Sequence, residues 1–127
     1  MNKLIIVEDN HIFRKTVENV VKNNFPKCNI FMFIEDTKAM EAISSTEKDF
    51  DVLLLDGDLG VGGSGGNVLN ILTLEQLEKT IICSGNDDFI AEAKKKGVSI
   101  LIDKGFAGIR ASKIVPYILE TFGKITG

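Results

Sequence analysis

The hydrophobic pattern alternates between short apolar runs and longer stretches of helical period. Five short runs, each largely apolar and each followed by polar or glycine residues, cover residues 4–7, 30–34, 52–55, 80–83 and 98–102. Runs of this length between turn-forming residues predict buried strands. Apolar residues between the runs recur every three or four positions, which predicts helices.

One helix is expected after each strand, which gives five helices. The features that mark them are the stripe of Phe13 and Val17, a cap at Asp36, the apolar series from Val68 to Leu77, a start at Asp87 or Asp88 with an end at Gly97, and a cap at Ser112. Strands that alternate with helices form parallel sheets covered on both faces. The sequence therefore predicts an α/β fold with a doubly wound, five-stranded parallel sheet.

Composition is that of an ordinary globular protein. The chain has 127 residues, of which 44% are apolar and 26% charged, with a formal net charge of −3. This length predicts one domain over residues 1–127 with a single sizeable core. One short basic run at residues 94–96 is too little for a nucleic-acid interface, so we expect no direct nucleic-acid binding.

The apolar runs also bear on location. None approaches the ~20 residues that a membrane-spanning helix needs. The N-terminal apolar run leads at once into Glu8 and Asp9, unlike a secretory signal. Two cysteines, Cys28 and Cys83, do not form a disulfide framework. We therefore expect a cytoplasmic protein without membrane association.

Polar side chains follow four of the predicted strands. Glu8 and Asp9 follow the first strand, Asp56 the third, Ser84 the fourth and Lys104 the fifth. The carboxyl ends of parallel strands meet at one edge of a sheet, where ligands of such folds bind. Each residue alone is common as a cap or a solvated loop residue. Their joint occurrence predicts that three carboxylates, a hydroxyl and an ammonium converge.

This set of groups suits phosphoryl transfer. Crowded carboxylates repel one another and recruit a cation, and oxygen ligands favour Mg²⁺. A carboxylate such as Asp56 can accept a phosphoryl group. Lys104, the metal and the Ser84 hydroxyl would surround the phosphoryl oxygens with positive charge and donors. The arrangement is what phosphoryl transfer to Asp56 requires.

Four segments make the whole chain resemble the receiver domain of two-component response regulators: VEDN at 7–10, LLLDGDLG at 53–60, CSGND at 83–87 and DKGF at 103–106. The resemblance implies a flavodoxin-like sheet of order 2-1-3-4-5. It also implies a signalling switch in a phosphorelay, with slow Mg²⁺-dependent self-phosphorylation and dephosphorylation. The phosphoryl donor would be a histidine kinase or histidine phosphotransfer protein, and the sequence does not identify the output partner.

The resemblance also assigns roles to residues of the site. Asp9 and Asp56 would ligate Mg²⁺ directly, Glu8 would act mainly through water, and the backbone carbonyl of Asp58 would be a further ligand. Asp56 would accept the phosphoryl group. Lys104 would pair with that group, and Ser84 would move toward it as the switch.

The chain departs from the receiver pattern in three places. Leu101 stands where the family often has an aromatic residue, Gly105 where it commonly has proline, and Leu59-Gly60 where it usually has a Met-Pro-like element. Residues 60–66 include five glycines, which predicts a mobile loop beside the site. The loop is not a Walker phosphate loop, because no GK[ST] ends it.

Several alternatives stay open. Asp56 and Asp58 also resemble the DxD motif of haloacid dehalogenase-like phosphatases, where the first aspartate is phosphorylated and the second is the acid/base. A degenerate receiver would act only as a docking module. Phe13 is either plain core or part of a docking surface.

A further expectation concerns the cysteines, because strands 2 and 4 of the implied order lie about 14 Å apart. That distance exceeds the ~7 Å limit for a disulfide, so Cys28 and Cys83 should be free thiols.

Overall fold

The computed structural model describes residues 2–45, 49–104 and 116–122, and the sheet lies at their centre. Its five strands are β1 (Lys3–Val7), β2 (Asn29–Phe33), β3 (Val52–Leu55), β4 (Thr80–Ser84) and β5 (Ile100–Asp103). All pairings are parallel and the order is β2-β1-β3-β4-β5. The flavodoxin-like topology is confirmed.

Helices connect the strands. They are α1 (His11–Asn24), α2 (Asp36–Ser45), α3 (Gly65–Asn70), α4 (Leu74–Glu78) and α5 (Asp87–Lys96), with a 3₁₀ turn at Gly60–Gly62 and a further helical stretch at residues 116–122. The cap expected at Ser112 and the departure at Gly105 lie outside the described residues. No helix in the described part of the chain combines the length and the apolar character that crossing a bilayer requires.

The third predicted helix is divided in two. A new helix starts after Thr73, whose hydroxyl accepts from the backbone N–H of Gln76 at 3.1 Å, while the Gln76 side chain accepts from the N–H of Thr73 at 2.9 Å. This reciprocal capping box satisfies the backbone N–H groups of Thr73 and Gln76 at the start of the new helix. The prediction of one helix through Leu77 was wrong because the apolar period continues across the break.

Asparagines cap α1 and α5, which begin at the carboxyl edge of the sheet. Asn10 Oδ1 accepts from the N–H of Phe13 at 2.9 Å, and Asn86 Oδ1 accepts from the N–H of Phe89 at 3.1 Å. Asn86, and not the acidic pair that follows it, is therefore the cap of α5. The acidic pair occupies the first turn, where negative charge favours the helix dipole. Gly97 ends α5 with φ of 117°, as expected for a left-handed C-cap.

The core has two halves, one on each face of the sheet. One half joins the sheet to α1 and to residues 116–122, and its buried helical side chains are Phe13, Val17, Val21, Ile118 and Phe122. The other half joins the sheet to α2 through α5, and its buried helical side chains are Ala39, Ile43, Val68, Leu69, Leu77, Phe89 and Ala93. Successive residues of β1 face opposite halves, as strand geometry requires.

The cysteines are both buried and both free. Cys28 directly precedes β2 and Cys83 lies in β4, with β1 and β3 between those strands. The prediction of free thiols is confirmed, and it follows from the order of the strands.

Candidate functional site

Three carboxylates converge at the carboxyl edge of the sheet. Glu8 and Asp9 follow β1 and Asp56 follows β3, which is the neighbouring strand. One carboxylate oxygen of each lies within 4.8 Å of the other two. Glu8 and Asp56 are buried, whereas Asp9 is exposed. The predicted convergence of the three acids is therefore present in the fold.

Lys104 brings a positive charge to the same place. Its backbone N–H donates to the carbonyl of Ser84 at 2.9 Å, which extends the pairing of β5 with β4 by one residue. Its Nζ lies 2.7 Å from Glu8 Oε2 and 3.2 Å from Asp56 Oδ2. The ammonium thus contacts both buried carboxylates.

The turn after β3 orients the Asp56 carboxylate. Its Oδ1 accepts from the backbone N–H of Gly57 at 2.7 Å and from that of Asp58 at 3.4 Å. Its Oδ2 contacts Lys104. One oxygen is therefore held in the turn while the other faces the cluster.

Ser84 and Asp58 line the same cavity, which has a volume of about 710 Å³ and is also lined by the acids and Lys104. The Ser84 side chain is buried, and its Oγ accepts from the N–H of Asn86 at 3.1 Å. The Asp58 carboxylate is exposed and accepts from the N–H of Gly60 at 2.9 Å. The ligand role expected for the Asp58 carbonyl stays a prediction.

Burial dominates the electrostatics of Glu8. Removal from water raises the pKa of its carboxyl to about 7, the nearby Asp56 charge adds to this effect, and the hydrogen bond from Lys104 opposes it. Burial by itself would lower the pKa of Lys104, but the bond to Glu8 and the charge of Asp56 outweigh burial and raise it. Lys104 is therefore a cation at neutral pH.

The three clustered carboxylates fit a hard divalent cation. They offer oxygen donors, two are buried, and Asp9 opens the cluster to solvent. Mg²⁺ takes oxygen ligands and commonly binds one or two carboxylates while keeping several waters. The donor chemistry thus fits a hard divalent cation of the class expected from the sequence.

The sequence did not predict that Asn10 and Phe13 contact the charged groups of the site. The backbone N–H of Asn10 donates to Glu8 Oε1 at 3.2 Å, so the cap of α1 also holds the carboxylate. The ring of Phe13 lies 4.7 Å from Lys104 Nζ and lines the cavity. An asparagine two residues after Glu8 was a usable signal for a helix cap beside the site. The contact with Phe13 had no local signal, because Lys104 comes from the opposite end of the chain.

The glycine-rich loop packs closely against its surroundings. A Cβ at Gly62 would meet the carbonyl oxygen of Ile34, and a Cβ at Gly65 would meet that of Asp56. Asp36 Oδ2 accepts from the N–H of Ser64 at 3.1 Å, which ties the loop to α2. Close packing therefore explains why glycine occupies these positions, whereas the sequence suggested mobility.

Comparison with curated proteins gives a distant relative. The chain is 28% identical over 89 residues to a glycerol metabolism activator from Pseudomonas putida. The aligned part covers 69% of this chain and 39% of that protein, so the chain spans about two fifths of its length. No family model matches the chain.

Solved structures give full-length likenesses. The phosphorylated cyanobacterial phytochrome response regulator RcpA matches with a TM-score of 0.77 at 20% identity, covering 99% of this chain and 96% of that one. The response regulator domain of Thermotoga maritima CheB matches with a TM-score of 0.72 at 17% identity, covering 98% and 96%. The Mn²⁺-bound form of response regulator Rcp1 gives 0.73 at 13% identity, covering 97% and 93%. The chain has the fold of a response regulator receiver domain, with an acidic cluster at its carboxyl edge.

Proposed function

We propose that this chain is a receiver domain of two-component signalling that accepts a phosphoryl group on Asp56. The observation that carries the proposal is the contact of Asp56 Oδ2 with Lys104 at 3.2 Å, inside a cluster that also holds Glu8 and Asp9. A carboxylate held this way has one oxygen engaged by the backbone and one directed at a cation. The proposal is supported by two proteins of the same fold, RcpA in a phosphorylated form and Rcp1 in a Mn²⁺-bound form.

The residues of the chain divide the work of the transfer. An oxygen of Asp56 attacks the phosphorus of the donor, the new O–P bond forms, and the bond to the leaving group breaks with its electron pair going to that group. Lys104 can donate to a phosphoryl oxygen, because its ammonium already reaches Asp56. The Ser84 hydroxyl accepts from Asn86 and retains its own proton for donation.

Glu8, Asp9 and Asp56, with the carbonyl of Asp58, would hold Mg²⁺. When bound, the ion neutralises charge on the acids and on the phosphoryl oxygens. The structure supports this assignment through the clustered oxygens of the three acids.

The proposed partners follow from the proposed chemistry. A histidine kinase or a histidine phosphotransfer protein would donate the phosphoryl group, and a separate protein would recognise the phosphorylated form. A switch of this kind catalyses its own slow phosphorylation and dephosphorylation.

The proposal is tested with a small phosphodonor. Acetyl phosphate and Mg²⁺ should add one phosphoryl group to the wild-type protein, as measured by intact-protein mass spectrometry, and chelation of Mg²⁺ should prevent it. Asp56→Asn should abolish labelling. Asp58→Asn is the matched control, because an asparagine oxygen can still accept from Gly60 and the side chain is exposed. Labelling that persists in Asp56→Asn would contradict the proposal.

The variants Asp56→Asn and Asp58→Asn also distinguish a receiver domain from a phosphatase. A haloacid dehalogenase-like enzyme would need the Asp58 carboxylate as acid/base and would turn over a phosphate ester many times. In this fold that carboxylate caps the loop at Gly60. Multiple turnover that is lost in Asp58→Asn would favour the phosphatase.

A further inference from the structure

Phe13 stands between the core and the site. It lies in the first turn of α1, where its N–H is fixed by the Asn10 cap. Its side chain is 6% exposed and belongs to the core half formed by α1, yet it also lines the cavity of the acidic cluster. The centre of its ring is 4.7 Å from Lys104 Nζ. A core residue of α1 therefore contacts the charged group of the site.

We propose that Phe13 is a positioning residue that holds the Lys104 ammonium beside Asp56 through a cation–π contact. The distance is within the ~6 Å over which an aromatic face attracts an ammonium. The attraction is strongest where water is excluded, and here both groups are largely buried. The inference rests on the proposed role of Asp56.

The Phe13 ring attracts the Lys104 ammonium independently of the charge on the carboxylates. Lysine is a point charge on a flexible four-carbon stem, so its position depends on what surrounds the ammonium. Glu8 and Asp56 attract it by their negative charge, and this attraction weakens whenever a cation or a phosphoryl group engages those oxygens. The attraction of the Phe13 ring is independent of that charge. Phe13 would therefore keep Lys104 in place during the transfer.

A purely structural role makes a different prediction. If Phe13 only fills space, any apolar side chain of similar volume should serve. If the ring attracts Lys104, the electron distribution of the ring should matter at constant shape. Pentafluorophenylalanine at position 13 makes this distinction, because fluorination removes the negative potential of the ring face while keeping its outline close to that of phenylalanine. Phe13→Leu and Phe13→Tyr complete the series.

The first measurement is the rate of labelling by acetyl phosphate at saturating Mg²⁺. We expect the rate to fall about threefold to thirtyfold in the pentafluoro and Phe13→Leu proteins, and to stay within about twofold of wild type in Phe13→Tyr. Thermal melting shows whether each protein is folded. If Phe13→Leu fails to fold, the pentafluoro protein decides. A pentafluoro protein that is labelled as fast as wild type would overturn the inference.

The second measurement does not need phosphorylation. In proton NMR the side-chain methylene resonances of Lys104 next to the ammonium should be shifted upfield by the ring in wild type, and should return toward their ordinary position in Phe13→Leu. Unshifted resonances in wild type would overturn the contact. Should Asp56 not be the acceptor, the wild-type protein would resist labelling or Asp56→Asn would still be labelled, in either case with the NMR shift intact, so the two failures are distinguishable.

Discussion

Lys104 is the residue whose contacts join the two buried acids of the site. Its ammonium is 2.7 Å from Glu8 and 3.2 Å from Asp56, and its side chain is 16% exposed. Buried acids without a cation repel each other and lose the solvation that they had in the unfolded chain. The charge of Lys104 therefore stabilises the folded protein as well as serving the proposed chemistry.

Replacement of Lys104 should destabilise the metal-free protein. We expect Lys104→Met to lower the free energy of unfolding by about 3 kcal/mol, because one partner of a buried ion pair is removed and the others are left. Urea unfolding in the presence of a chelator measures this loss. Lys79→Met is the control, since Lys79 pairs with Asp49 and Glu75 at 3.7 and 3.8 Å near the surface. Its cost should stay below about 1 kcal/mol. Equal losses in the two variants would contradict the account.

The buried thiol of Cys83 should make the free energy of unfolding depend on pH. Burial raises the pKa of its thiol from 9.0 to about 12, so the unfolded chain releases the proton at lower pH than the folded chain. The unfolded state then binds fewer protons, and stability falls as pH rises through this range. We expect the free energy of unfolding measured in urea to decline between about pH 8 and pH 10, roughly one unit below and above the ordinary thiol pKa, and to decline less steeply in Cys83→Ala. An unchanged slope in the variant would show that the thiol is not responsible.

At the scale of elements, the loop after β3 is fixed by close contacts. Gly65 is buried at the start of α3, and its N–H donates to the carbonyl of Gly57 at 2.9 Å. A Cβ at this position would meet the carbonyl oxygen of Asp56, which is backbone and cannot move aside. The loop therefore holds the turn that orients the Asp56 carboxylate.

Neighbouring glycines of α3 make a matched pair for this contact. Gly65→Ala should lower the free energy of unfolding by about 2 kcal/mol or more, because the backbone around Asp56 must shift. Gly66→Ala should change it by less than about 1 kcal/mol, since the nearest atom to a Cβ there is the side-chain oxygen Ser64 Oγ at 3.2 Å, and alanine favours a helix. Chemical denaturation measures both. A Gly65→Ala protein as stable as Gly66→Ala would refute the packing of the loop.

The elements also show what the sequence could predict. The strands could be located because buried parallel strands are short apolar runs, and residues 52–55 were bounded correctly. The break before α4 was missed because Leu72 continues the apolar period while the Thr73 cap interrupts the helix. The start of α5 at Asp87 is as predicted, whereas its cap, Asn86, was not identified from the sequence, because asparagine and aspartate are equally good caps.

At the scale of the whole molecule, strand order places the site. Glu8, Asp56 and Lys104 are far apart in the sequence and meet because β1, β3 and β5 run parallel and end at one edge. The sequence could predict this convergence from the positions of the residues after the strands. It could not predict the partners within the site, such as Phe13 against Lys104, because these depend on side-chain packing between distant segments.

The central claim is that Asp56 carries the phosphoryl group. Borohydride reduces an aspartyl phosphate to homoserine, so treatment of the phosphorylated protein followed by peptide mass spectrometry locates the modified residue. The account predicts homoserine at position 56 in protein treated with acetyl phosphate and Mg²⁺, and none when Mg²⁺ is chelated. Homoserine at position 9, or a phosphoryl group found on His11 with position 56 unmodified, would contradict it.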